Sequence, residues 1–389
     1  MKLLFVHDHI FLKNQSNFYS DKLTYNVLSR YLKYFNKVEV FSRVNEVEDI
    51  PELSLSSGDN IKFKSGENIN SINSLWSSRP RVKKQLENLI KTNDALVVRL
   101  PSEFGILAID IAKKYNKPIY TEVVACAWDA LWNYGKILAK LRAPLMFLQM
   151  RSAVKKSDYV IYVTDKFLQT RYPSNKKTIG ISDVEISQLD KSILDMRLKK
   201  INYEDKRVMQ IGLIGSFKTK YKGIHDAFNA ISILSKKNIH VKFRILGSGD
   251  KDSYQNLAKK LQIEEKIHFD GLLSSGVEVW NWLDNIDIYI QPSYQEGLPR
   301  ALVEAMSRAC PAISSTAGGM PELLNGANLI KPGDYKNLAQ LLEKGIKNKD
   351  WQILESNRNF EKSKEFQKEV LDLKRNTFLN QFKKFCEAK

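Results

Sequence analysis

The chain has 389 residues, 43% of them hydrophobic and 10% aromatic, which excludes a disordered polymer and predicts two folded domains of about 150–200 residues each. Its 61 basic residues outnumber 44 acidic ones for a net charge of +17, tilted to the N-terminal half; an anionic partner (phosphorylated small molecule, nucleic acid or membrane surface) and a plain lysine-rich solubility bias both account for it. Cys126, Cys310 and Cys386 are odd in number and far apart, which excludes a disulfide framework or a zinc site and fits a reducing cytosol.

The opening MKLLFVHDHI carries an apolar run too short for a signal peptide, interrupted by His7, Asp8 and His9. It reads as a first buried strand, Leu3–Val6, with His7–His9 in the loop that follows. Short apolar runs then alternate with amphipathic helical segments, the pattern of a parallel sheet with crossover helices. Strands are predicted at Val38–Phe41, Ala95–Arg99, Pro118–Glu122 and Tyr159–Val163, and helices at Ser20–Tyr34 and Phe104–Tyr115. Residues Asn45–Ser78 are polar and rich in Ser, Asn and Gly, and read as a long excursion. Arg99 and Glu122 stand at strand ends, with Asp129 shortly beyond, placed to enter a cleft. From Ala130 to Ser157 there is no acidic residue, while Lys136, Lys140, Arg142, Arg151, Lys155 and Lys156 are interleaved with Trp132, Leu138, Leu141, Leu145, Met146, Phe147 and Leu148. Such a segment lies on anionic lipid or is an ordinary crossover helix with solvated lysines. No stretch approaches the ~20 apolar residues that span a bilayer.

The rhythm lapses over Ile181–Asp205, where the domain junction is placed, and then restarts. Strands follow at Arg207–Ile214, Val241–Leu246, Ile267–Phe269, Ile286–Gln291, Ala312–Ser314 and Asn328–Ile330, with helices such as Gly223–Ser235 and Ser253–Leu261 between them. The fold class is therefore α/β, with two doubly wound Rossmann-like domains, 1–200 and 206–356, whose strand ends face one cleft. The tail, 357–389, reads as one charged helix with an apolar face at Phe366, Val370, Leu373, Phe378, Phe382 and Phe385, packing back on the N-terminal domain.

Chemistry concentrates in the second half. After Ile288–Gln291 comes Pro-Ser-Tyr-Gln-Glu-Gly-Leu-Pro, a tight loop leading to a helix near Pro299. Free N–H groups at such a helix start suit a diphosphate, and Glu296 and Glu304 can accept pairs of sugar hydroxyls. The plainer alternative pairs Glu304 with Arg300 or Arg308, four residues to either side. Upstream, IGLIGSFKTKYKGIHDAF sets Gly215 and Ser216 at a strand end and Lys222 at a helix start, where lysine offers a compact charge for phosphate. Lys218 is either a second such charge or a solvated loop residue. Gly247-Ser248-Gly249 follows a strand but lacks the third glycine of a dinucleotide fingerprint. Asp250 and Asp252 mimic a metal-binding pair and are read as helix caps. No metal site is predicted.

The stretch EGLPRALVEAMSRACPAISSTAGGMPELL resembles the donor-site signature of family 4 of the retaining glycosyltransferases, which have the GT-B fold. The likeness is detailed from about Val208 to Asp334 and loose through the N-terminal half. It implies that Glu296 contacts the transferred sugar, Glu304 the ribose hydroxyls, and the backbone at Gly297, Leu298 and Gly319 the donor, with Gly215, Ser216, Lys218 and Lys222 near the diphosphate. It departs from the family where Ser216–Phe217 replace an arginine and where no histidine stands near the Glu122–Asp129 strand end. Asp129 or Glu122 would then substitute, with His9 and Arg99 on the acceptor side. The resemblance thus implies a retaining transferase, metal-independent and without a cofactor, that moves a sugar from a nucleotide-sugar to a growing, lipid-linked glycan. It would work in the cytoplasm on the anionic inner face of the cell membrane and bind no nucleic acid. A noncatalytic scaffold that keeps the fold, and a Rossmann oxidoreductase resting on Gly247-x-Gly249, are the rival readings.

Overall fold

The computed structural model describes residues 1–50, 53–69, 77–203 and 208–389; parts of the expected excursion (51–52 and 70–76) and of the junction with the start of its next strand (204–207) lie outside them. The chain divides into an N-terminal unit, Met1–Ile181 with Leu373–Lys389, and a C-terminal unit, Ser182–Asp372.

The N-terminal unit is built on β1 (Lys2–Asn14), β2 (Asn17–Ser20), β3 (Lys37–Glu46), β4 (Ser54–Leu55), β5 (Ile61–Ser65), β6 (Ala95–Leu100), β7 (Ile119–Val123), β8 (Tyr159–Tyr162) and β9 (Lys177–Gly180). They form one sheet in the order β4-β2-β1-β6-β7-β8-β9, with β3 bridging β1 and β5. The first strand does not end at Val6. His7, Asp8 and His9 bulge opposite Ser42, whose hydroxyl donates to His7 O at 2.7 Å, and pairing with β3 resumes at Ile10 opposite Arg43. The expected loop is therefore a strand bulge, which aims side chains out of the ladder. The predicted helix Ser20–Tyr34 shrinks to Tyr25–Leu28 and a 3-10 turn, Ser29–Lys33, because the chain first closes the β1–β2 hairpin and Ser20 Oγ accepts the N–H groups of Lys22 and Leu23.

Among the crossover helices, α1 (Glu103–Lys114) lies almost wholly in the core. After β7 come α2 (Ala127–Trp132) and α3 (Ile137–Lys156). Helix α3 buries Ala143, Met146, Met150, Ala153 and Val154, yet it also leaves Leu138, Leu141, Leu145 and Leu148 exposed, with Ile137 77% and Leu141 72% accessible. It thus has two apolar faces where the sequence suggests one, and Met146 and Phe147 belong to the core side. Beside the outer face, Lys140 stands over the Trp132 ring and Lys136 over Tyr134.

The stretch read as a lapse contains α4 (Lys191–Tyr203). Its buried side is partly charged: the Arg197 guanidinium, 4% exposed, donates to the Leu283 and Arg308 carbonyls, so the apolar periodicity is thin. The C-terminal unit carries β10 (Met209–Ile214), β11 (Val241–Leu246), β12 (Ile267–Gly271), β13 (Ile288–Gln291), β14 (Ala312–Ser315) and β15 (Leu329–Ile330). All pairs are parallel, in the order β12-β11-β10-β13-β14-β15. Helices α5 (Ile224–Lys236) and α6 (Arg300–Ser307) follow β10 and β13.

The tail is not one helix. Ile186 N donates to Phe366 O and Lys368 N to Ile186 O, both at 3.0 Å, and this bridge diverts the backbone before α7 (Lys368–Glu387) begins. The interruption resets the helical phase. Leu371, Phe378, Leu379 and Phe382 are buried, whereas Leu373 is 71% exposed and Val370 also reaches solvent. Within the N-terminal unit Phe378 and Phe382 pack on Tyr120 and Tyr159 with ring centroids 5.2–5.8 Å apart.

Candidate active site

In the C-terminal unit, β13 ends in a hydrogen-bonded series of polar groups. The buried Tyr289 hydroxyl donates to Gln291 Oε1 at 2.7 Å, and Gln291 Nε2 donates to Ser293 Oγ and Glu296 Oε1 at 2.8 and 3.2 Å. Ser293 Oγ donates to the same Glu296 oxygen at 2.8 Å, and Lys222 Nζ completes the set at 2.8 Å. Oε1 therefore takes three donors, while Oε2 has no partner among the described residues. A carboxylate fixed through one oxygen presents the other in a set direction.

The backbone around this carboxylate is held by glycines at two close approaches. At Gly223, φ is +70° and a Cβ would stand 2.1 Å from Pro292 O; at Gly318, φ is +61° and a Cβ would stand 2.1 Å from Glu296 O. Only glycine fits such positions. Next to it Gly319 N donates to Gly297 O at 2.8 Å, tying the Gly-Gly turn to the Glu296 loop. Leu298 is half-buried and packs against the core below. Lys222 and Gly223 are thus brought to the Glu296 loop from the end of β10, the neighbouring strand of β13.

Glu304 lies on α6, 4.0 Å from Arg300. Arg308, the other partner considered, is taken by Asp284 at 2.6–2.8 Å. Burial pushes the Glu304 carboxyl above its ordinary range, with Arg300 opposing. Burial raises the Tyr289 hydroxyl as well, and the charges of both Glu296 and Glu304 add to that rise.

The turn after β10 meets the turn after β11. Phe217 N donates to Ser248 O and Ser216 Oγ reaches the same carbonyl at 3.3 Å. A Cβ on Gly247 would stand 1.9 Å from Gly215 O. Gly247 and Gly249 therefore serve backbone approach, and Lys218 is exposed at the rim. Asp250 accepts the N–H of Asp252 at 2.9 Å, a turn closure ahead of the helix.

The N-terminal unit holds a cavity of about 580 Å³ lined by His7, Asp8, His9, Arg43, Glu103 and Arg142 with Leu131 and Met146. Asp8 accepts the N–H groups of Glu103 and Phe104 at 2.6 and 3.0 Å, capping α1 together with Ser102. His7 Nδ1 is 3.0 Å from Arg99 O. Burial, with the charge of Arg99 adding, holds the His7 ring down at about 3, so it is neutral. Burial also lowers His9, which sits 2.7 Å from Ser20 Oγ.

Three of the other residues named for this half, Glu122, Arg99 and Asp129, are engaged with partners and stand outside the lining of this cavity. Glu122 and Arg99 lie directly opposite on β7 and β6 and form an ion pair at 3.0 Å. The other Glu122 oxygen accepts from Tyr31 at 2.6 Å. Burial works to raise the Glu122 carboxyl, but Arg99, Arg30 and the Tyr31 hydroxyl outweigh it and hold it low. This pair is an interior tie and does not line the cavity. Asp129 is likewise engaged by Arg171 at 3.0 Å. Of the named acceptor residues, His9 alone lines the cavity. Asp8, Arg43 and Arg142, which line the cavity, and Gln291 and Ser293, which hold Glu296, were not among the sequence candidates; the visible signal for the last two was a polar pair ending an apolar strand.

The model of the glycosyl transferases group 1 matches residues 197–366. Protein CapJ of Staphylococcus aureus is 36% identical over 92% of this chain and 90% of its own length. The putative colanic acid biosynthesis glycosyltransferase WcaL of Escherichia coli K12 is 33% identical over 32% of this chain and 33% of its own. Among solved structures, HepE of Anabaena in complex with UDP superposes with a TM-score of 0.66 at 15% identity, covering 98% of this chain and 100% of that one. At that identity the likeness speaks for the fold, which is GT-B, with two Rossmann-like domains.

Proposed function

This chain belongs to the group 1 glycosyltransferases, and from that premise we propose that it moves a hexose from a nucleoside-diphosphate sugar to a growing, lipid-linked bacterial glycan with retention at the anomeric carbon. It is a hexosyl-type glycosyltransferase of the bacterial capsular-polysaccharide kind; the donor, the stereochemistry and the acceptor are our inference.

The observation that carries the donor assignment is the Glu296 carboxylate with three donors on Oε1 and, among the described residues, none on Oε2. Sugar hydroxyls donate to Oε2, while Lys222, already at this carboxylate, offers its remaining ammonium protons to the diphosphate. Glu304, on the following helix, accepts from the ribose. The N–H groups at the start of α6 and the exposed Lys218, in place of the family's arginine, add positive potential. Retention needs a stabilised leaving group more than a strong base. The acceptor oxygen attacks from the face that the diphosphate leaves, its proton passes to the departing phosphate oxygen, and the sugar–phosphate bond breaks as the new glycosidic bond forms. The cavity beside His9 supports an acceptor site in the N-terminal unit, and the outer face of α3, apolar and rimmed by lysines, supports work at an anionic membrane surface.

Thermal-shift and binding measurements with UDP, GDP and their hexose conjugates test the donor assignment. One nucleoside diphosphate should stabilise the chain, and Lys222→Ala should weaken its binding about 10- to 100-fold, the worth of a charge-assisted hydrogen bond. Unchanged affinity would remove Lys222 from the phosphate site.

A further inference from the structure

The Lys222 turn and the Glu296 loop are joined by a second polar group that the donor chemistry itself does not require. Tyr294 stands two residues before Glu296, and its backbone N–H donates to Tyr221 O at 2.7 Å. Its ring stacks on that of His225, with centroids 5.7 Å apart and planes inclined by 16°. The Tyr294 hydroxyl lies 3.4 Å from His225 Nε2, which in turn lies 3.4 Å from Asp226 Oδ2. Asp226 is only 4% exposed, in the first turn of α5. A third segment closes over the ring: a Cβ on Gly333 would stand 3.0 Å from the Tyr294 hydroxyl.

A carboxylate buried beside a histidine and a tyrosine is costly to keep. Apolar residues of similar volume often hold such a place equally well or better, so stability alone does not explain the triad. Its position does. Lys222 stands three residues before His225, Glu296 two residues after Tyr294, and the Lys222–Glu296 bond spans the same two segments. Burial raises the Tyr294 hydroxyl to about 12 and also raises Asp226, whose rise His225 and the tyrosine hydroxyl oppose; the phenol therefore stays protonated as a donor.

We propose that Tyr294, seated on His225 and Asp226, is a positioning residue that sets the sugar-contacting Glu296 in register with the phosphate-contacting Lys222. The inference rests on the donor reading above. It implies that the hydroxyl of Tyr294 governs turnover rather than nucleotide affinity, since sites of this kind tolerate only about 0.5 Å of displacement.

The test uses the full chain, UDP and GDP as binding probes, and release of nucleoside diphosphate from UDP-glucose and GDP-mannose as the rate. Tyr294→Phe keeps the stacked ring and removes the hydroxyl. Its kcat should fall about tenfold, while KM, nucleoside-diphosphate affinity and melting temperature stay within about twofold, twofold and 2 °C of wild type. His225→Ala should slow release similarly, and the double variant should be no slower than the worse single one, because both remove the same coupling. Wild-type kcat in Tyr294→Phe overturns the proposal. So do a loss of nucleotide affinity equal to the loss of rate, and single-variant effects that multiply in the double. A wild-type chain that binds neither nucleoside diphosphate overturns the donor reading itself, a result distinct from these.

Discussion

Glu304 is a carboxylate that the folded chain holds more readily in its protonated form, because burial raises its pKa and exposed Arg300 at 4.0 Å only partly offsets that. Its folded pKa lies above the unfolded value of about 4.3. The destabilisation is therefore absent below that value, grows as pH rises through the folded pKa, and is complete only above it. Glu304→Gln should raise the melting temperature of the unliganded chain at neutral pH, and the advantage should vanish as pH falls toward about 4. The same variant should bind nucleoside diphosphate more weakly, as the ribose loses a charged acceptor. Melts across that pH range, with and without nucleotide, check both; a variant less stable at neutral pH would show that the carboxylate serves the fold. The Glu296–Glu304 pair was legible in the sequence, since a loop glutamate and a helix glutamate eight positions apart follow one strand. The pairing of Glu122 with Arg99 was not legible, because it depends on strand register, each opposite the other across β6 and β7, and register is not written within either strand.

At the scale of elements, the strand–helix alternation was legible apart from α4 and the short strands β2, β4, β5 and β9, and the boundaries of β11 match the predicted strand. What escaped was decided by tertiary hydrogen bonds: the bulge that lets β1 continue past His9, the buried Arg197 that thins the periodicity of α4, and the bridge at Ile186 that breaks the tail. Helix α3 is the most consequential case. Core burial uses Met146 and Met150, and nothing in the core requires Leu138, Leu141 and Leu145. A four-leucine face with lysines at its margin and no acidic residue between Ala130 and Ser157 matches the chemistry of an anionic interface. Replacing Leu138, Leu141 and Leu145 together by glutamate should lower cosedimentation with phosphatidylglycerol vesicles more than about tenfold, given ~1 kcal/mol or more for each buried apolar side chain. The melting temperature should not move, because all three side chains are exposed. Equal sedimentation of variant and wild type would assign this face elsewhere.

For the whole molecule, the chain passes between units twice, at Ile181–Ser182 and inside α7 at Asp372–Leu373. The C-terminal unit is one continuous stretch and carries every residue of the donor assignment, whereas the N-terminal unit needs a segment from the far end of the chain. Phe382, fully buried against Tyr120, Tyr159 and Phe35, is the anchor of that segment. Phe382→Ala should destabilise the N-terminal unit by about 3–5 kcal/mol while nucleoside-diphosphate affinity stays within about twofold. Calorimetry and nucleotide titration on one preparation check this, and a matching loss of affinity would show that the two units do not act separately.

The discontinuity also bears on how the chain comes into being. Synthesis runs at about 5–20 residues per second, so once Ile181 has been added, roughly 10–40 s pass before the last helix emerges from the ribosome. During that interval the nascent N-terminal half has aromatic rings at Phe35, Tyr120 and Tyr159 without the helix that covers them, while the second half can finish first. Completion of the N-terminal unit therefore waits for the end of translation, although its synthesis comes first.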